Sequence, residues 1–310
     1  MSVRESPAPL AAARLSMLGN SLALVAAKVL TMGLGFLFWV LAARSFAQAE
    51  VGVAAGVIAT MMLCTQIALL GVGSAVISLL REHEAAPARL LDTSLTIVVA
   101  TAAGCAGAFV LASGALSELD VVGSSPHYAL LFVLAAVFGT VGVLYDQVST
   151  ALRRGDLVLV RGAVVGLATV AALLALGPHG AGWSGSEALV AAWVPAGLAG
   201  CALGWRQVRR QVPGYRCRLR IGRRLAPRLM SLGLANWALT VAERAPGLVL
   251  PVVVAELLSP EANATWYAAW MMAWVVYVVP VQVGINVFAE AARDPAAIRL
   301  AVAHGVRSSL

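Results

Sequence analysis

Residues 206–228 read RQVRRQVPGYRCRLRIGRRLAPR. Nine arginines fall in this stretch (Arg206, Arg209, Arg210, Arg216, Arg218, Arg220, Arg223, Arg224 and Arg228), and no acidic residue accompanies them. A run of this kind suits a nucleic-acid patch or a targeting signal, but its flanks decide otherwise. On both sides lie apolar segments long enough to cross a bilayer, and basic residues beside span ends mark the cytoplasmic side of a membrane protein. The stretch therefore sets the orientation of the whole chain and divides it into a longer and a shorter part.

Composition agrees with that reading. Of the 310 residues 60% are hydrophobic and 12% charged, whereas a soluble domain carries roughly a quarter charged residues. The net charge of +7 is gathered in short loops. It points to membrane topology and anionic lipid headgroups rather than to nucleic acid. Cys64, Cys105, Cys201 and Cys217 show no CxxC spacing, so neither a disulfide framework nor a metal site is expected. His83, His127, His179 and His304 are scattered and read as solvated loop residues. Arg4 and Arg14 precede an apolar run too long for a signal-peptide core, which reads as a retained first span.

A span needs about 20 predominantly apolar residues to cross roughly 30 Å of hydrocarbon. Eight segments qualify: Met17–Ala43, Val51–Leu80, Leu90–Ala112, Tyr128–Ala151, Leu157–Leu176, Ala188–Trp205, Leu229–Leu257 and Ala264–Phe288. The fold class is thus all-α, a polytopic helical membrane protein. With the N-terminus inside, eighteen basic residues fall in cytoplasmic loops and tails and only Arg44 on the other side. This places both termini and the arginine stretch in the cytoplasm, in a multi-pass protein of the cell inner (cytoplasmic) membrane. The second segment is too long for a straight span, and Gly71 and Gly73 are the expected bend. Gly52 and Gly56 form a small-xxx-small pair suited to close helix packing. Pro280 lies in the eighth span, and Pro246 with Gly247 is expected to interrupt the seventh.

Ionisable residues deep in a span need a partner or a water-filled cavity. Lys28, Glu243 and Arg244 meet that description. Arg44, Asp92, Asp146, Arg161 and Glu187 lie nearer span ends, where they can snorkel or reach water; Arg44 stands apart as the sole basic residue outside. The first and seventh spans also share a pattern. Leu18-Gly19-Asn20 precedes Lys28, and Leu232-Gly233 with Asn236 precedes Arg244, at the same spacing from each Asn. Two parallel bundles related by an axis along the membrane normal would produce such a repeat. No phosphate-binding glycine loop, Ser/His/Asp set or HExxH motif is present, so no enzyme activity and no cofactor are expected.

The stretches GFLFWVLAARSFAQAEVGVA (Gly35–Ala54), MMLCTQIALLGVGSAVISLL (Met61–Leu80), DQVSTALRRGD (Asp146–Asp156) and FAEAARDP (Phe288–Pro295) resemble polysaccharide-biosynthesis membrane proteins. These are oligosaccharide flippases of the multidrug/oligosaccharidyl-lipid/polysaccharide (MOP) superfamily. The resemblance implies two six-helix lobes around a central cavity that alternates its access. On it, residues 1–205 form the first lobe, 206–228 a basic cytoplasmic inter-lobe loop, and 229–310 the first two helices of a second lobe. The substrate implied is a lipid-linked saccharide whose pyrophosphate meets Lys28 and Arg244. Glu243 tunes that charge, Asn20, Asn236 and Gln282 hydrogen-bond sugar hydroxyls, and membrane lipids surround the acyl chains. Two other readings accompany this one: a drug/cation antiporter of the same superfamily, favoured by an acidic cavity, and a non-transporting subunit that needs a partner chain to complete the second lobe.

The topology is checked by single cysteines in a cysteine-free background. Ser124→Cys should react in intact cells with an impermeant thiol reagent and Gly214→Cys should not; the reverse pattern inverts the orientation.

Overall fold

The structure, a computed structural model of the chain, describes residues 7–80, 82, 87–177, 182–212, 214–273 and 276, with side chains described from residue 23 onward. Among these residues there are helices and no strands: α1 (Pro7–Ser45), α2 (Gln48–Ala68), α3 (Val72–Leu79), α4 (Pro87–Ala112), a short α5 (Val121–Ser124), α6 (Pro126–Ala151), α7 (Gly155–Leu176), α8 (Gly185–Ala191), α9 (Trp193–Gln211) and α10 (Leu225–Leu257). A further helix begins at residue 260. Helices dominate because hydrocarbon offers no partner for a backbone N–H or C=O, so each must be satisfied within its own segment. Seven helical segments among the described residues are long and apolar enough to cross a membrane. They correspond to the first seven expected spans. Most of the eighth, 264–288, and with it Pro280, lies outside the described residues.

The long second segment is broken where the sequence suggested. α2 ends at Ala68, and the chain turns through Leu70 (φ 45°) and Gly71 (φ 70°) before α3 begins. A break inside a membrane exposes the carbonyls at the end of α2, which need new donors. Each of the four finds one. Leu69 N–H donates to Thr65 O at 3.2 Å and Leu70 N–H to Ile67 O at 3.3 Å. Trp237 Nε1 of α10 donates to Gln66 O and Ile67 O at 3.0 and 3.1 Å, and Thr101 Oγ1 of α4 to Ala68 O at 2.6 Å. Gly71 itself lies against Gly233 of α10 so closely that a Cβ on either would fall within 2.6 Å of the other's backbone. Gly73, by contrast, stays helical and makes room for the Gln147 side chain.

The seventh span differs from expectation. α10 runs unbroken for 33 residues through both Pro246 and Pro251. Each proline removes one backbone donor, leaving the carbonyl four residues earlier to other partners, and a membrane helix tolerates that loss where it would end a soluble one.

Two compact units are present, Met1–Ala264 and Thr265–Leu310. In the first, α2 is the central helix, packing on α4, α6, α8 and α10. Its run Ala54, Ala55, Val57, Ile58 and Ala59 is fully buried. α6, α7 and α9 pack on one another, α1 lies along α7, and α10 lies along α2 and α3. Gly52 admits the backbone of Pro260, and Asn263 Nδ2 donates to Gly52 O at 2.8 Å. Gly56 packs against Leu119 and Asn263, so the glycine pair serves close packing as read from the sequence. In the second unit, Trp266 and Trp270 stack with centroids 5.4 Å apart.

The arginine segment is not a free tether. Tyr215 is buried, with its hydroxyl 3.4 Å from that of Tyr145 on α6. Burial pushes the Tyr215 phenol pKa up, so it stays neutral. The backbone of the segment is held along α4: Arg218 N–H donates to Asp92 Oδ1 at 2.9 Å, Thr96 Oγ1 to Arg220 O at 3.3 Å, and Gly222 N–H to Thr93 Oγ1 at 3.1 Å. All nine arginine side chains remain exposed.

Gly71→Ala should destabilise the protein by at least about 2 kcal/mol, because a methyl group there combines a left-handed backbone with overlap on Gly233. A thermal midpoint in detergent well below that of Gly104→Ala, where a Cβ meets nothing, is the expected result. Equal midpoints would mean the α2–α10 contact is not as close as described.

Candidate functional site

Lys28 lies roughly 25 Å along α1 from Ser45, and Arg244 roughly 20 Å along α10 from Leu257, at about 1.5 Å per residue. Both helices end on the side opposite the arginine segment, so the two cations sit at comparable depth. Both side chains are exposed on their helices, and Arg244 lies within electrostatic reach of Lys28. α1 and α10 each contact α2. The structure thus brings together two cations that the sequence places 216 residues apart. Neither takes part in the ion pairs found among the described residues. Two like charges within reach of each other repel, and an anion between them would reverse the sign of that interaction.

The other sequence candidates distribute differently. Glu243 is exposed beside Arg244, and consecutive residues point about 100° apart on a helix. It forms no ion pair with its neighbour. Asn236 is exposed on α10 about 12 Å closer to the arginine-segment end, turned roughly 80° from Arg244. Arg44 is exposed in the last turn of α1, where a cation suits the helix dipole, and is roughly 24 Å from the level of Lys28. The side chain of Asn20 and the whole of Gln282 lie outside the described residues.

The most buried charge is one that the sequence reading assigned to a span end. Arg161 on α7 neither snorkels nor meets water: its side chain is 2% exposed. It donates through Nη1 to Gln207 Oε1 of α9 at 2.7 Å and through Nη2 to Asp146 Oδ1 of α6. Gln207 Nε2 continues the chain to Leu157 O at 3.2 Å. Three helices are pinned by one guanidinium, because an arginine that cannot reach water must be matched by a carboxylate and a carbonyl. A signal was available. Asp146, Arg161 and Gln207 all lie within about two turns of helix ends on the arginine-segment side, hence at one depth.

One further expectation changes at the opposite end. His127 is in the first turn of α6 rather than in a loop, with Nδ1 2.6 Å from Glu187 Oε1 and its ring 4.8 Å from that of Trp183. His83, His179 and His304 lie outside the described residues. Glu256, which nothing in the sequence singled out, caps the α4–α6 connection. Its carboxylate accepts Ser117 N–H and Oγ at 2.7 Å each, Glu118 N–H at 3.1 Å and Leu119 N–H at 3.0 Å.

A family model described as "Polysaccharide biosynthesis protein" matches residues 17–295. No curated protein matches the sequence. Among solved structures, the chain is similar to one described as the inward-facing conformation of a multidrug resistance MATE family transporter of the MOP superfamily. The TM-score is 0.55 at 13% identity, and the match covers 89% of this chain and 66% of that one. The fold is therefore shared with that transporter, and the chain belongs to the polysaccharide biosynthesis protein family.

Proposed function

We propose that the protein acts as a flippase, moving a lipid-linked oligosaccharide or polysaccharide precursor across the cytoplasmic membrane by alternating access. The observation that supports this most directly is the Lys28 and Arg244 pair: two exposed, mutually repelling cations on α1 and α10, neither in an ion pair among the described residues. A saccharide carried on a lipid pyrophosphate is anionic and strongly hydrated, and it cannot enter hydrocarbon without a cationic, polar path. Charge-assisted hydrogen bonds from an ammonium and a guanidinium suit a pyrophosphate. In this reading Glu243 moderates the net charge, Asn20, Asn236 and Gln282 meet sugar hydroxyls, Arg44 meets the headgroup at the far side, and the acyl chains stay in the bilayer. The same charge count disfavours a drug/cation antiporter, whose cargo is positive and would be repelled by two cations against one carboxylate.

The test is made at the chromosomal gene, so that the protein is assayed in its own setting. Arg244→Ala should abolish surface export of the saccharide with membrane abundance and thermal stability near those of the parent, and Arg244→Lys should retain part of it. In detergent, Arg244→Ala and Lys28→Ala should each weaken binding of a polyprenyl-pyrophosphate saccharide by about ten- to hundredfold, the cost of losing one hydrogen bond to a charged group. Binding of the neutral polyprenol should not change. Full export by the alanine variant would remove Arg244 from the mechanism, and loss of abundance in step with export would make its role structural.

A further inference from the structure

The arginine segment carries a second arrangement that does not depend on the transport reading. At every second residue from 218 to 222 the backbone is offered to α4, as N–H, C=O and N–H in turn, the pattern of an extended chain seen edge-on. Docking therefore uses the main chain and leaves the side chains free. Arg216, Arg218 and Arg220 are exposed, and between and beside them Leu219 and Ile221 are 64% and 60% exposed. The carboxylates that contact this segment are already engaged: Asp92 accepts Arg218 N–H, and Glu82 pairs with Arg228 at 2.6 Å.

Depth gives this strip its meaning. Its anchors Asp92 and Thr96 lie roughly 7 and 14 Å along α4 from Pro87. α4, at 26 residues, is about 39 Å long, close to the roughly 40–45 Å of a bilayer with its headgroups, of which about 30 Å is hydrocarbon. The anchored strip accordingly runs from the junction of headgroups and acyl chains into the outer acyl region. Exposed Leu and Ile beside Arg suit that junction, because the aliphatic groups enter the acyl region while guanidinium groups reach back to phosphate. We propose that residues 216–221 form a rigid docking strip for the anionic phospholipid headgroups of the adjoining leaflet. Arg216, Arg218 and Arg220 contact phosphate, and Leu219 and Ile221 seat the strip among the acyl chains. A free loop of the same charge would attract such lipids only diffusely, whereas a strip held at three backbone positions keeps each of its cations at a fixed depth.

The whole chain is reconstituted in vesicles containing spin-labelled phosphatidylglycerol or phosphatidylcholine, and the relative association of the two lipids is measured. The parent protein should prefer phosphatidylglycerol, and the preference should weaken with salt. Arg218→Gln with Arg220→Gln should reduce it by about tenfold or more. Arg153→Gln with Arg154→Gln, in the short connection between α6 and α7, should leave it near the parent value. Leu219→Ser with Ile221→Ser should reduce association of both lipids in the same vesicles. Because the docked atoms belong to the backbone, the glutamine variant should keep the parent thermal midpoint. An equal loss in the Arg153/Arg154 control would overturn the proposal in favour of net charge alone. So would a preference that is unchanged in the glutamine variant or insensitive to salt. Absence of lipid preference, with co-purifying RNA that the glutamine variant loses, would overturn it in favour of nucleic acid.

Discussion

A helix broken inside a bilayer must find new donors for the carbonyls it frees, and the arrangement of the first unit follows from how that need is met. At the end of α2 two donors come from adjacent backbone N–H groups, one from Thr101 of α4 and one from Trp237 of α10. An open carbonyl in hydrocarbon costs several kcal/mol, so the break is tenable only while α4 and α10 stand beside it. The contact of Gly71 with Gly233 is the steric counterpart of this requirement. Without side chains at those two positions, α10 approaches closely enough for Trp237 to reach the carbonyls. The seventh helix is therefore built into the same compact unit as the first six.

Charge inside the membrane is handled in two opposite ways. Arg161 is enclosed and matched on α6 and α9, which makes it a pin between helices. Lys28 and Arg244 are left exposed and within reach of each other's charge, which repels. One cation is matched by Asp146 and Gln207, whereas the other two form no ion pair among the described residues.

Connections at both ends of the bundle are stapled by polar side chains acting on backbone. Glu256 collects the N–H groups of residues 117–119, Glu50 accepts Gly185 N–H at 2.9 Å, and Gln48 Nε2 donates to Glu261 O at 3.1 Å. On the other side Asp92, Thr93 and Thr96 hold the arginine segment. Loops of this kind carry many backbone polar groups near a low-dielectric boundary, and side chains from neighbouring helices satisfy them.

The amino-acid sequence by itself determined the helical class, the first seven spans and the break near Gly71. All of these follow from hydropathy and glycine placement, which act along the chain. The tertiary structure alone decided the rest. It carried α10 through Pro246 and Pro251, because neighbouring helices can make up for a lost N–H that the local sequence cannot. It turned Arg161 inward, because its partners come from helices 15 residues before and 46 residues after it. It laid the arginine segment along α4 through backbone atoms, which no residue pattern encodes. It also brought Lys28 within reach of Arg244, since the separation of α1 and α10 depends on how both helices meet α2.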